Sequence, residues 1–528
     1  MKPLHFTTRS MSAMCLKQNS GFSLITAIFL LVILAALGAF ILTISGTQQT
    51  SSALDVQGSS AYQAARAGIE WGSYQVLIGG APCTTGYSYK RTVTINHAKV
   101  PNTDQTNFPV LFSGVYPYLA TFSNGGRVTN ASGFDIIFTS DSAGANKLDH
   151  EIESYDPNTG TVNFWVRVPT VSHTTDTVIY LCYGNAAITT SQENKTGVWD
   201  GYFQGVWHLK ESGNGTPGEF KDSTSNANNG QGGAANSPSS TWTPARATGE
   251  IGYGQQFSGG SAGACSPPCD YIQIADSASL DVTGQITMEA WVKLPTVYNQ
   301  KIVGKTDQLV TRGYLFAVQN NSGSLGLYPE IWDSGGTDHT FVSGTFSTST
   351  WTHVAVTAAT GGNLIGYINA AQVNSISFGG SNIGTGGTTP KMRIGASPWD
   401  SPGPVPAWPL NGVIDEVRIS STARSPDWLQ TEYNNETSPS TFYTLGAETT
   451  PSAFASTCAT SPYTSTQNIT GMGGTLSGFT TTVTCSSGPT YTEGSTTRTV
   501  YQLTSTGAKG TVGTVDRVER QLQVTLIK

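Results

Sequence analysis

Residues 22–44 read FSLITAIFLLVILAALGAFILTI, 23 residues in which only Ser and Thr are polar. A helix of about 20 apolar residues crosses a bilayer, so this run by itself predicts a membrane span. Residues 1–21 before it hold Lys2, Arg9 and Lys17 and no acid. Such a positive flank stays in the cytoplasm, which sends everything after residue 44 outward. A cleavable secretory signal would have a shorter apolar core and a small-residue cut site. Here the helical pattern continues instead: Leu54, Ala61, Ala65, Ile69 and Val76 recur at helical intervals, with Asp55, Arg66 and Glu70 between them. Gly80 and Pro82 end it. Residues 22–78 form one predicted rod of roughly 85 Å, apolar all round in its first half and amphipathic in its second.

The rest of the chain differs in kind. Of 528 residues 12% are charged and 60 are Gly, where globular proteins average about 25% charged. Ser, Thr, Asn and Gly fill the difference, the composition of short strands joined by polar turns. The 38% of apolar residues exclude a disordered chain, and the Gly content excludes a long helical bundle. Net charge is −7 with no basic cluster, which argues against nucleic acid as a partner. Without Lys2, Arg9 and Lys17 the exported part keeps 24 of the 27 basic residues against 34 acids. Its surface is therefore acidic and polar, suited to sugars or divalent cations. The predicted class is α+β, with a long N-terminal helix, β-domains and a small C-terminal antiparallel sheet.

Gly21-Phe22-Ser23-Leu24, between a basic leader and an apolar helix, resembles the cleavage region of the type IV prepilin family. The resemblance implies that a prepilin peptidase cuts after Gly21 and that the new N-terminal Phe22 is methylated. A start at Met11 or Met14 would only shorten the leader. SALDVQGSSAYQAARAGIEWGSYQVL, and later GGTLSGFTTTVTC, RTVYQLTSTG and VERQLQVTLI, are similar to minor pilin-like subunits of the mannose-sensitive haemagglutinin (MSHA) pilus system. Thr26 departs from the major-pilin pattern, which has a glutamate at this fifth position after the cut. A carboxylate in a membrane needs a partner, and in pilins the resemblance supplies the N-terminal amine of the subunit ahead. A tip subunit has none ahead, so Thr26 points to a tip or priming position. The plainer alternative is a subunit recruited differently, which tolerates Thr26.

The resemblance also implies a small sheet on the upper half of the helix. In residues 520–527, Leu522, Val524 and Leu526 alternate with Gln521, Gln523 and Thr525, as such a strand would. The chain then divides into a leader (1–21), a transmembrane and assembly helix (22–83), an inserted β-domain (84–187), a linker (188–198), a second β-domain (199–447) and pilin-like strands (448–528). An exposed loop tolerates such an insertion. In the first β-domain Val162, Phe164, Val166 and Val168 alternate with Asn163, Trp165 and Arg167. FDIIFTSDSAGANKLDHEIESYD and VIYLCYGNA resemble a β-domain of no known chemistry that precedes laminin-G-like domains in bacterial surface proteins. Asp149, His150, Glu151 and Glu153 within it are expected on a solvated strand, with a metal site as the alternative.

In the second β-domain GVWHLKESG, FKDSTSNANNG, YIQIADSASLDVTGQITMEAWVKL, WTHVAVTAATGGNLIGYINAAQV and LNGVIDEVRISSTARSPDWLQTEYNN resemble a laminin-G-like (concanavalin A-like) sandwich. That resemblance implies binding of glycans or proteins without catalysis. Ile286, Met288, Ala290 and Val292 on one face, with Thr287, Glu289, Trp291 and Lys293 on the other, predict a half-buried strand. Asp415 falls in phase with Val413, Val417 and Ile419, on the face predicted to be buried, so it must be paired, hydrogen-bonded or metal-bound. The resemblance implies Ca2+ held by an Asp of an early loop and one of this late strand; Asp222 and Asp415 match those positions, and oxygen ligands suit calcium. The alternative is that Asp415 accepts backbone N–H groups. Trp399 and Trp408 lie in SPWDSPGPVPAWPL, a stiff loop whose indoles either stack on a ligand or fold back over the sandwich.

Residues 213–218, GNGTPG, match G-x-G-x-x-G but open no helix, and read as a turn. The seven His form no ligand cluster in the sequence. A glycan hydrolase needs two facing carboxylates, and no convincing pair stands out, so no enzyme is predicted. Of seven Cys, Cys15 leaves with the leader and six remain in an oxidising compartment. Cys265 and Cys269 are spaced for a disulfide-closed turn. Cys458 and Cys485 are expected to pair, leaving Cys182 free and buried; Cys83–Cys458 is a rival pairing.

The function these readings imply is a minor pilin-like subunit at or near the tip of an MSHA-type pilus. It would prime assembly and present an adhesive laminin-G-like domain to a carbohydrate or protein surface ligand. Its implied partners are other pilins and minor pilins, the prepilin peptidase and the inner-membrane assembly platform. It would sit in the inner membrane with its bulk in the periplasm, then on the extracellular pilus, in a Gram-negative-type bacterium. The alternatives are a structural priming subunit whose insertion binds other minor pilins, and a membrane-anchored glycan hydrolase.

Overall fold

The computed structural model describes residues 24–77, 83, 86–234, 239–259, 269–307, 312–385, 391–398, 408–450, 458, 464–493, 496–514 and 517–527. Gly21, Phe22, Trp399 and Cys265 lie outside them. The chain divides into two compact units, Met1–Gly80 with Ser452–Lys528, and Ala81–Pro451.

In the first unit the Leu24–Leu77 helix runs for 54 residues and is long and apolar enough to cross a membrane. Its first half, Thr26 included, is exposed almost throughout. From Gly58 onward the buried positions are small: Gly58, Ala61, Ala64, Ala65, Gly68 and Gly72, then Val76. Small residues let a sheet approach the helix backbone. A Cβ on Gly68 would collide with the side chains of Ser505 and Thr481, and one on Gly507 with the backbone of Ala61 and Ala65. The sheet is an antiparallel meander of Thr464–Ile469, Thr480–Glu493, Thr496–Lys509 and Val518–Ile527. Thr481 Oγ1 donates to the Ala64 carbonyl at 3.0 Å. Val76, Val483, Tyr501, Leu503 and the Cys458–Cys485 disulfide fill the core.

The second unit holds two β-sandwiches. In the first, Thr161–Val171 lies between Gln105–Val115 and His150–Asp156. The facing sheet runs Tyr443–Leu445, Tyr89–Ile95, Thr177–Tyr183, Ile136–Thr139. Its edge strand Tyr443–Leu445 falls within residues 199–447 yet pairs with the first domain, Tyr443 opposite Ile95. Burial drives this, because Phe442 and Tyr443 belong to that core. Residues 188–198 are tied to it as well: Val198 is buried, and Glu193 accepts the Ile152 N–H at 3.0 Å. Cys182 is not free. It is bonded to Cys83, 99 residues earlier, which excludes the Cys83–Cys458 pairing.

The second sandwich packs two eight-stranded antiparallel sheets. Trp207, Ile286, Met288, Ala290, Val292, Ile414, Val417 and Ile419 contribute to the core between them. The first sheet includes the neighbours Thr352–Ala359, Gln285–Lys293 and Asn411–Ser420, with Phe203–Trp207 paired to the last. Helix Pro426–Thr437, capped by Ser425 Oγ on the Trp428 N–H at 3.1 Å, covers this sheet's outer face. Ala355 and Tyr367 from the same face join Trp428 and Leu429 in the first sandwich's core. The Gln285–Lys293 strand is therefore buried on both faces, not half-buried: Thr287, Glu289 and Trp291 are covered too.

Candidate functional site

A layer of charge is sealed where the two sandwiches meet. The His150–Asp156 strand brings Glu151 and Glu153, and His208 follows the Phe203–Trp207 strand. Gln285–Lys293 contributes Glu289, Thr352–Ala359 His353, Asn411–Ser420 Asp415, Glu416 and Arg418, and the helix Glu432 and Glu436. All are buried. Arg418 stands 4.7 Å from the Trp165 ring and 5.5 Å from that of Trp199. Its Nη1 donates to Glu432 at 2.5 Å and Glu436 at 2.6 Å, and its Nη2 to Glu416 at 2.7 Å. One guanidinium thus serves three carboxylates.

His208 is the second cation. Its Nδ1 lies 2.7 Å from Glu416 and its Nε2 3.3 Å from Glu151, with Glu153 at 3.8 Å. Burial opposes its charge, but Glu416 and Glu151 outweigh burial and hold the imidazole well above its ordinary value. Burial likewise opposes charge on Glu151, yet His208 holds it down to about 2. Burial and the Glu416 charge push Glu153 up to about 7, and burial raises Glu436 to about 8 despite Arg418. Indole N–H groups satisfy oxygens at three places: Trp199 to Glu151 at 2.9 Å, Trp165 to Glu153 at 2.8 Å and Trp291 to Glu436 at 2.6 Å. His353 behaves differently. Burial, aided by Arg418, pushes it down to about 3, so it is a neutral imidazole.

Among the described residues two groups bring three metal-ligand side chains together, Glu153–His208–Glu416 and Glu289–His353–Glu432, each with its ligand atoms within 4.8 Å of one another. Neither contains the expected pair Asp222 and Asp415. The Asp222 carboxylate accepts Val206 N–H at 3.0 Å, Thr224 N–H at 2.9 Å, Thr224 Oγ1 at 2.8 Å and Asn228 N–H at 2.8 Å. Three donors of its own loop and one of the Phe203–Trp207 strand thus satisfy the carboxylate. Asp415 accepts backbone N–H groups from Ile251 at 2.9 Å and Glu416 at 3.0 Å. It shares the face of Trp291, away from Val417 and Ile419. A β-bulge at Glu416, whose φ is 51°, switches the alternation between them.

The acidic strand is also not solvated. His150 packs on Phe138 and Phe164, where burial pushes it down to about 4, while Glu151 and Glu153 enter the charged layer. Alternation assigned Trp165 and Trp291 to faces opposite their strands' aliphatic residues. A large indole on such a face is the sign of a second cover that the sequence offered. Trp408 is half-buried in the rim, its carbonyl accepting the Lys301 N–H at 3.2 Å. Cys269 is buried and disulfide-bonded. At the surface, two polar clefts meet at Tyr202, which is 57% exposed. Gln204, Asp281 and Gln285 line one; Asp104, Asn107 and the Asp200–Arg424 ion pair line the other.

Residues 269–430 match the family described as the concanavalin A-like lectin/glucanases superfamily. The second sandwich is a concanavalin A-like domain. Residues 132–208 match a domain of unknown function, DUF2341, and so run from the first sandwich to His208. No curated protein matches the chain. Among solved structures, domain 4 of AbnA, a GH43 extracellular arabinanase from Geobacillus stearothermophilus in complex with arabinotriose, is 21% identical with a TM-score of 0.32, over 44% of this chain and 98% of that one. The CBM40 of the Ruminococcus gnavus IT-sialidase, bound to α2,3-sialyllactose, is 16% identical with a TM-score of 0.27, over 34% and 96%. The binding domain of botulinum neurotoxin DC, in complex with rat synaptotagmin II, is 9% identical with a TM-score of 0.31, over 57% and 73%.

Proposed function

We propose that this chain is a membrane-anchored minor pilin-like subunit of an MSHA-type pilus, at or near the tip, that displays a lectin-like domain for surface attachment. The observation that carries the reading is the discontinuity of the first unit. The long helix and the C-terminal sheet come together although all of Ala81–Pro451 lies between them in the chain. An exposed apolar half-helix suits a bilayer, or the packed helices of a filament, and the disulfides suit an exported compartment. The concanavalin A-like domain supports recognition of carbohydrate or protein, and the polar clefts beside exposed Tyr202 are where it would occur. Binding without catalysis is part of the proposal.

Gold-labelled antibody against residues 81–451 tests it, with label at filament ends expected. Uniform labelling of the shaft, or none on filaments, overturns the tip reading. Deletion of residues 84–447 should leave pili intact and abolish attachment, whereas loss of pili would favour the structural priming role. Release of reducing ends from bound polysaccharide would overturn the non-catalytic part.

A further inference from the structure

Arg418 spends its Nη donors on Glu416, Glu432 and Glu436. Glu289 is left over. It is 1% exposed and takes no hydrogen bond from Arg418, whose charge acts on it only at a distance; its carboxyl neighbour is Glu432. A buried carboxylate in that state is costly and calls for a counter-charge. What faces it is His353, with Nε2 at 3.8 Å from Glu289 Oε2, and Glu432, a second carboxyl that burial holds well above its ordinary value. The three offer ligand atoms within 4.8 Å of one another.

We propose that Glu289, His353 and Glu432 bind one divalent transition-metal ion with the coordination chemistry of zinc. Zinc takes imidazole nitrogen and carboxylate oxygen at about 2.0–2.2 Å in tetrahedral array, so two ligands of one ion stand roughly 3.3–3.6 Å apart. The His353–Glu289 separation of 3.8 Å is slightly wider, and a small side-chain movement closes it onto the ion. An imidazole ligand disfavours calcium and magnesium, which prefer shells of oxygen. Two carboxylate charges also balance one divalent ion. The companion group Glu153–His208–Glu416 takes none, because both nitrogens of His208 already face carboxylates.

The three ligands come from two neighbouring strands and from helix Pro426–Thr437, so the ion pins the helix to the sheet. That helix also holds the first sandwich. Asn435 exchanges hydrogen bonds with the Leu111 backbone at 2.7 and 3.0 Å, and Asp427 accepts from Asn102 at 2.8 Å and Thr103 at 2.9 Å. The ion therefore closes the seam between the two domains, and it loads while the chain folds.

The test uses the full chain, expressed with zinc in the medium, purified in detergent and washed with EDTA. Elemental analysis should find about one retained zinc per chain, and X-ray absorption a nitrogen-and-oxygen shell without sulfur. Glu289→Gln and His353→Gln, checked for wild-type circular dichroism, should each retain at least tenfold less. A wild-type chain free of zinc overturns the proposal, most directly if infrared spectra show a protonated carboxyl that Glu289→Gln removes. A sulfur-containing shell, or folded variants that keep the zinc, overturns it too. The absorption measurement on the wild type does not depend on how the variants fold.

Discussion

His208 and His353 are both buried between glutamates in the same sealed layer, yet one is charged and the other neutral. His208 has Glu416 at 2.7 Å and Glu151 at 3.3 Å, and it takes a proton that answers both. His353 has Glu289 no closer than 3.8 Å and lies in the field of Arg418, so it stays neutral and gives Glu289 no counter-charge. The residue types are the same; the spacing to the nearest carboxylate and the placement of one arginine decide the outcome. One group is thereby a closed ion cluster, while the other keeps donor atoms to offer.

The strongest way to break this contrast is to remove the arginine. Arg418→Met leaves Glu416, Glu432 and Glu436 without their shared donor and should cost about 3–5 kcal/mol, read by denaturant unfolding of the full chain through Trp fluorescence. A loss under about 1 kcal/mol would mean that Arg418 does not organise the layer. Next, His208→Gln and His353→Gln should separate in zinc-free protein: about 2–3 kcal/mol for the first, which strips a charge from Glu151 and Glu416, and about 1 kcal/mol for the second. Equal costs would erase the distinction.

The third test is pH. His208 has a raised value in the fold, so its stabilisation is complete below its ordinary value and drains away as pH rises. Glu153, at about 7, and Glu436, at about 8, hold protons that the unfolded chain has lost, and they too stabilise less as pH rises through those values. His150 and His353 are depressed, to about 4 and about 3, so their contribution is complete above the ordinary histidine range and changes only in acid. The melting temperature of the Ala81–Pro451 transition should therefore fall from pH 6.5 to 8.5, and Glu153→Gln should flatten the slope. A rise over that window would contradict the assignment of protons. Smallest in stability is Tyr202→Ala, which lies outside the layer and should stay within about 0.5 kcal/mol of wild type while weakening surface attachment.

Much of the architecture was legible where periodicity is local. The Leu24–Leu77 helix shows in its apolar run, and the strands Thr161–Val171, Gln285–Lys293 and Val518–Ile527 show in their alternation. What escaped depends on distant partners. No local signal says that the polar face of Gln285–Lys293 will be roofed by a helix and a second sandwich, or that Cys182 will find Cys83. The bulge at Glu416 hides in the same way, because one positive φ moves Asp415 off the face shared by Val417 and Ile419 without altering composition. Asp415, in phase with apolar neighbours, and the tryptophans, standing where ordinary solvent-facing side chains would do, were the hints of the charged layer.

The edge strand Tyr443–Leu445 also sets a timetable. During synthesis Tyr89–Ile95 emerges early but meets its outer neighbour only after the whole concanavalin A-like domain has been made. Of the two sandwiches the first is thus begun earlier and finished later, with a ladder of very high sequence separation to close. Until then its exposed edge is open to wrong partners. Early pairing of Tyr89–Ile95 with Thr177–Tyr183, and the Cys83–Cys182 bond beside it, leave one edge to wait in place of a whole sheet.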